Sequence, residues 1–229
     1  YQSRRVVLDA ILEQLPSTAQ LTLAGLGFAV TIGVTLGVIA SLKPNSVGDN
    51  LSMFFALAGV SLPEFWLALM MIFLFSFTLQ WVPATGQGGV DRLILPAAAL
   101  GLRAAATIAR LTRASMLEIL NQDYITTARA KGLSNRLVVI RHALKNALIP
   151  VVTIVGLQFG NLMAGAVIIE TVFARQGIGR LAVDAIRMKD FPMIQGTVLF
   201  AATAYVLTNL LVDLSYAWLD PRIQLSGRS

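Results

Sequence analysis

The sequence predicts an all-α fold: a polytopic bundle of about five membrane-crossing helices, in one domain spanning 1–229. Three observations carry this. The 229 residues are 56% hydrophobic and only 13% charged, with mean hydropathy +0.72, whereas a soluble domain is about a quarter charged. The apolar residues are gathered into long runs. Those runs lack the period-2 alternation of membrane strands. The composition excludes a water-soluble enzyme, a disordered chain and a coiled coil.

Each run reads as one element. No charge lies between Glu13 and Lys43. This predicts a span over 16–42, with Pro16, Ser17 and Thr18 as start signals and enough length for the about 20 residues that cross the hydrocarbon. A second span, 51–79, is broken only by Pro63-Glu64. The third, 93–117, carries Arg103, Arg110 and Arg113 among many alanines. The fourth, 147–170, is uncharged to Ile169, and the fifth, 195–219, is interrupted by Asp213. Between them lie a short turn at Lys43, a glycine-rich loop from Trp81 to Arg92, a long charged insert at 118–146 and a polar stretch from Glu170 to Pro192.

The net charge is +6 and the pI about 10.2. In this apolar context the excess reads as basic loops against lipid headgroups, and no nucleic-acid partner is expected. The densest basic cluster is the third-span end and insert: Arg110, Arg113, Arg129, Lys131, Arg136, Arg141 and Lys145. The positive-inside rule places that insert in the cytoplasm. Five spans then put the C-terminus in the cytoplasm and the N-terminus outside. Tyr1 to Glu13 has no apolar core of its own to serve as an export signal, so a membrane helix is expected ahead of this stretch. With no cysteine and one histidine, thiolate sites and multi-histidine metal sites are excluded within the chain.

The insert has internal order. Asp123, Tyr124, Thr127, Ala128, Arg129, Ala130 and Lys131 belong to a short helix that Gly132 ends as a C-cap. After Leu133, Ser134 can cap a second helix that carries His142 and runs into the fourth span. Helix, turn, helix makes a knob able to transmit motion to a docked partner; the alternative is a basic loop held at headgroups. Ionisable residues inside spans are functional candidates. Counting helical rise puts Glu64 about 20 Å and Arg103 about 15 Å from their respective span ends, both near the midplane. They either pair with one another, line a path, or sit in a structural ion pair. Arg110 and Arg113 are structural charge candidates, and Asp213 can neutralise one of them. Gly25, Gly33, Gly37 and the alanine-rich third span allow close backbone approach, within the bundle or against another subunit.

The run from Tyr124 to Pro150 closely resembles the coupling loop of ABC-importer permease subunits of the peptide/nickel branch. Ala128, Gly132 and Leu144 fit the general pattern of that loop. Thr126, Thr127, His142 and Lys145 depart from it in the manner of this branch. The stretch Ala109 to Glu118, Pro63-Glu64-Phe65-Trp66, Gly177 to Leu181 and the tail Leu219 to Ile223 extend the resemblance over nearly the whole chain. The phrasing is similar to the "B"-type permease, which has six helices, with Tyr1 to Val7 standing just before the second.

The resemblance implies a type I ABC importer fold and import of a solute delivered by an extracytoplasmic binding protein. It implies a second homologous permease, and two ATP-binding subunits docked on the coupling loop that hold ATP and Mg. It places the chain in the bacterial inner membrane. No cofactor is expected in this chain: no Gly-Lys pair occurs, so it has no P-loop to cradle phosphates. Di- or oligopeptides are the expected cargo, with glutathione and nickel chelates as alternatives; Glu64 and Arg103 can then meet the charged ends of a peptide. An ion-driven secondary carrier ranks lower, since no internal repeat is visible. A membrane enzyme lacks any recognisable nucleophile–base set.

Overall fold

The computed structural model of the chain describes residues 6–219, leaving aside the side chains at 213 and 215–219. The tail motif Leu219 to Ile223 and the side chain of Asp213 therefore lie outside the described residues. Within them the elements are helical: α1 Val7–Leu42, α2 Val47–Ser61, α3 Glu64–Met71, α4 Asp91–Leu120, α5 Asp123–Ala130, α6 Asn135–Leu137, α7 Lys145–Val172, α8 Ile178–Arg187 and α9 Phe191–Leu219. Ile72–Thr78 continues α3, and Val138–Leu144 joins α6 to α7, both as π-helical turns.

The bundle is organised by α1 and α4. Gly25, Ala29, Gly33 and Gly37 recur every fourth residue or a multiple of it, so they form one ridge of α1, and all four are buried. Opposite them lies the small-residue face of α4. A β-carbon added at Gly33 would lie 2.7 Å from the Ala105 carbonyl, and one at Gly37 2.6 Å from the Ala109 carbonyl. Gly101 returns the contact, pressed against the Gly25 carbonyl. The backbones therefore meet without intervening side chains, which maximises packing where lipid offers no hydrophobic drive between helices. The expected close approach of small residues is made inside the bundle.

This contact also fixes topology. Gly25 meets Ala97 and Leu100, Gly33 meets Ala105 and Ile108, and Gly37 meets Ala109 and Thr112. The register advances in the same sense on both helices, so α1 and α4 run parallel. The chain between Leu42 and Asp91 must then return from one end of the bundle to the other. That return is the bent pair of α2 and α3 with its π-helical extension, which turns by 113°. The pair counts as one crossing, giving five with α1, α4, α7 and α9, all long and apolar enough to span. Gly156 against Val212, and Gly160 against Tyr205 and Asn209, set α7 and α9 antiparallel. The C-terminal end of α9 thus lies at the same end of the bundle as α5.

Two expectations about elements are corrected. Pro16 does not start the first helix, which begins at Val7. Ala10 packs with Ala185 and Met193 of α8 and α9, and this tertiary burial carries the helix through the proline. The 51–79 run is not one straight helix. Pro63 disfavours helical backbone at the preceding Leu62, which is extended with ψ 138°. Glu64 therefore opens a new helix, and its depth does not follow from counting rise along a single rod.

Gly33→Val is expected to destabilise the purified protein by at least about 2 kcal/mol through overpacking against α4. Gly27→Val, where an added β-carbon meets nothing within 4 Å, serves as the control. Thermal unfolding in detergent checks this: a clear loss for the first variant and little change for the second.

Candidate functional site

Three polar constellations interrupt the apolar bundle. The first is the knob at the shared end of α4, α7 and α9. Met116, Ile125, Val138 and Ala143 are fully buried there, with Ala128, Val139 and Ala147 around them. The short helix α5 is thereby cemented to the end of α4 and the start of α7. Its remaining residues, Asp123, Tyr124, Thr126, Thr127, Arg129 and Ala130, are exposed. Ala128 is a packing residue, not a surface one.

The α5 terminus has the hydrogen bonds of a Schellman turn. The Gly132 N–H donates to the Arg129 carbonyl at 3.0 Å and the Leu133 N–H to the Ala128 carbonyl at 3.4 Å. Gly132 sits at φ +79°, and a β-carbon there would meet nothing within 4 Å. The requirement for glycine is therefore backbone conformation alone. Ser134 occupies the N-cap position of α6, but its side chain makes no capping bond. The helix it opens runs without a break into the fourth span, over Asn135–Val172. His142 is half-buried in the π-helical turn, and its carbonyl accepts from Asn146 Nδ2 at 3.1 Å. The same Asn146 amide donates to the Tyr124 hydroxyl at 2.9 Å. That bond ties the exposed face of α5 to the root of α7, and nothing in the sequence pattern singles out Asn146.

Second, a cavity of about 490 Å³ opens between α2–α3, α4 and α7. Its polar wall is Glu64, Arg103, Thr107, Gln158 and Asn161. Arg103 Nη1 approaches Glu64 Oε1 at 3.7 Å, with the Arg103 side chain 58% and the Glu64 side chain 21% exposed. Arg103 falls near the middle of α4. The break after Ser61 places Glu64 here as the first residue of α3. Gln158 and Asn161, three residues apart within an apolar span, are the signal that sequence reading passed over.

The third set comprises the junctions at the two ends. Arg113 grips Asp49 with Nε at 2.5 Å and Nη2 at 2.6 Å, and Asp49 also accepts the Asn45 N–H at 2.9 Å. The partner of Arg113 is thus in the turn before the second span; Arg110 is exposed. At the opposite end the fully buried Glu170 carboxylate takes the Thr18 hydroxyl at 2.6 Å and the Arg180 N–H at 3.1 Å. Thr18 Oγ1 in turn accepts the Ile178 N–H at 2.9 Å. Gly177, the N-cap of α8, has no side chain to cap with, so α1 and α7 supply the caps, and the carboxylate suits the positive helix end. A β-carbon at Gly177 would collide with the Glu170 carboxylate, and one at Gly179 with the Val167 backbone. That is the physical content of the Gly177 to Leu181 stretch. Arg175 is buried beside this carboxylate and donates to the Arg92 carbonyl at 3.3 Å. Burial pushes its guanidinium below the ordinary arginine range, and Glu170 pulls it partly back. Among the described residues, no group of three histidine, cysteine or acidic side chains is placed to hold a metal.

The family of binding-protein-dependent transport system inner membrane components matches residues 33–225. A dipeptide transport system permease of Alkalihalophilus pseudofirmus is 44% identical, over 97% of this chain and 75% of its own length. A glutathione transport system permease of Escherichia coli K12 is also 44% identical, over 97% of this chain and 72% of its own. Among solved structures, an inward-facing MetNI methionine ABC transporter superposes with TM-score 0.76 at 19% identity, covering 93% of this chain and 97% of that one. An amino acid ABC transporter gives 0.66 at 15% identity, covering 94% and 95%. These likenesses establish the type I importer fold.

Replacing Glu170 with alanine would leave the Thr18 hydroxyl and the Gly179 and Arg180 N–H groups without their acceptor, at about 1–3 kcal/mol each. Amide exchange at Gly179 and Arg180 is expected to accelerate more than tenfold. Unchanged exchange would remove Glu170 from the cap.

Proposed function

The chain belongs to the family of binding-protein-dependent transport system inner membrane components, and on that premise we propose that it forms one half of the path by which a bacterial importer takes up di- or oligopeptides. It is a permease subunit of an ABC importer of the peptide branch. Two peptide-carrying relatives support this cargo: the dipeptide permease, and the permease for glutathione, itself a tripeptide. The same likeness keeps glutathione as the second reading.

The partners in this reading are a second homologous permease, two ATP-binding subunits and an extracytoplasmic binding protein. ATP and Mg belong to the ATP-binding subunits; the absence of any Gly-Lys pair here supports a non-ATPase role. The single observation that carries the mechanism is the knob: a short helix with an exposed outer face, cemented through Ile125 and Ala128 to two membrane helices. A push on α5 is delivered to the ends of α4 and α7, which line the polar cavity. Asp123, Tyr124, Thr127, Arg129, Ala130, Lys131, Leu133 and Ser134 present the docking surface, while Gly132 sets its shape and His142 sits at the root. Basic residues around the knob support a cytoplasmic side for it, and with it for the C-terminal end of α9. Glu64 and Arg103 line the path. Arg113 is a structural charge, locking the α1–α2 turn to α4.

Gly132→Val tests the coupling role, because the position is unobstructed and only its left-handed conformation is disturbed. Valine there is strained by about 1–2 kcal/mol and cannot hold the same turn. Uptake into proteoliposomes is expected to fall at least about tenfold while ATP hydrolysis by the assembled importer continues. Undiminished uptake would contradict the assignment.

A further inference from the structure

We propose that Glu64 and Arg103 are an exchangeable counter-ion pair that takes the two ends of a zwitterionic peptide in transit, Arg103 the terminal carboxylate and Glu64 the terminal ammonium. This rests on the peptide-import reading above. Two ion pairs that α4 makes among the described residues are built differently. Arg113 holds Asp49 with two short bonds, and the Asp49 side chain is 1% exposed. Arg103 meets Glu64 through one nitrogen at 3.7 Å, with most of its side chain open to the cavity. A guanidinium has five donors and a carboxylate about four acceptor sites, so this single long contact leaves both groups with free capacity. The first pair is a fixture, and the second is poised to change partners.

Charge balance selects the ligand. Within the hydrocarbon, separating an ion pair strands two poorly solvated charges. An anion alone, taking Arg103, would strand Glu64; a cation alone would strand Arg103. A zwitterion brings one charge of each sign, so every charge is paired before and after the exchange. Gln158 and Asn161 add amide donors and acceptors complementary to a peptide bond. The Asn161-to-Gln158 hydrogen bond, at 3.4 Å, is long enough to yield. The cavity volume falls within the about 300–1,000 Å³ of small-molecule sites. A free divalent cation finds there one carboxylate and a repelling guanidinium.

The test uses the whole importer in proteoliposomes. Its binding protein is loaded to equal fractions with labelled alanyl-alanine, its C-terminal amide or its N-acetyl form. Wild type is expected to move the free dipeptide several-fold faster than either blocked form. Arg103→Gln is expected to lower the maximal rate for the free dipeptide about tenfold and to erase the preference over the amide. The half-saturating concentration of loaded binding protein should stay within about twofold, and Arg103→Lys should retain the preference. Glu64→Gln provides an independent reading, erasing instead the preference over the N-acetyl form, should the arginine variant fail to assemble. Equal wild-type rates for free and blocked peptides, or a variant that slows all three by one factor, would overturn the proposal while leaving peptide import intact. No dipeptide uptake by wild type would overturn the peptide reading, and this inference with it.

Discussion

The backbone contact between α1 and α4 is the constraint on which the rest of the fold depends. In a bilayer, apolar side chains gain nothing by leaving lipid for one another, so close packing must hold helices together. The ridge of Gly25, Ala29, Gly33 and Gly37 lets α4 approach until carbonyls of one helix occupy the space side chains would fill on the other. With α4 at the centre, its remaining faces are available to the other helices. One carries Arg113 to the α1–α2 turn; another turns Arg103 toward α3 and α7. The parallel sense of α1 and α4 then forces the intervening chain to cross, and the crossing element is the one broken at Pro63.

Polar groups in this bundle sort by how completely they are satisfied. Glu170 and Asp49 are buried and multiply bonded, and each closes a junction: the first fastens α8 to α1 and α7, the second fastens the α1–α2 turn to α4. Such groups are costly to leave unpaired and therefore rigid. The Glu64–Arg103 pair is long and half-open. Rigid ends with a labile polar centre suit a bundle that must move as a body while its path exchanges contacts. The knob is built on the rigid side of this division: Met116 and Ile125 bury it against α4, and Asn146 ties Tyr124 to α7.

Much of this was legible from local pattern. The five apolar runs, the C-cap at Gly132 and the small-residue faces each rest on chemistry confined to a few neighbouring residues. The geometry of the second run was not. Pro63-Glu64 reads as an interruption, but a 113° turn depends on what the two halves pack against, so the depth of Glu64 rests on its contact with Arg103 near the middle of α4 and not on rise counted along a straight helix. Asp49 with Arg113, and Thr18 with Glu170, are 64 and 152 residues apart; no periodicity links such partners. Glu170 reads as the first polar residue of a loop, although it is buried and caps another helix. Asp213, read as a counter-charge for α4, lies outside the described side chains, and Asp49 takes that role for Arg113.

The most direct measurement is uptake of a labelled dipeptide into proteoliposomes holding this chain with its partner permease and ATP-binding subunits, with the binding protein outside. Accumulation that requires both ATP within the nucleotide-accessible compartment and the loaded binding protein is the predicted result. Accumulation driven by an ion gradient without ATP, or none for any peptide while another class of solute is taken up, would contradict it.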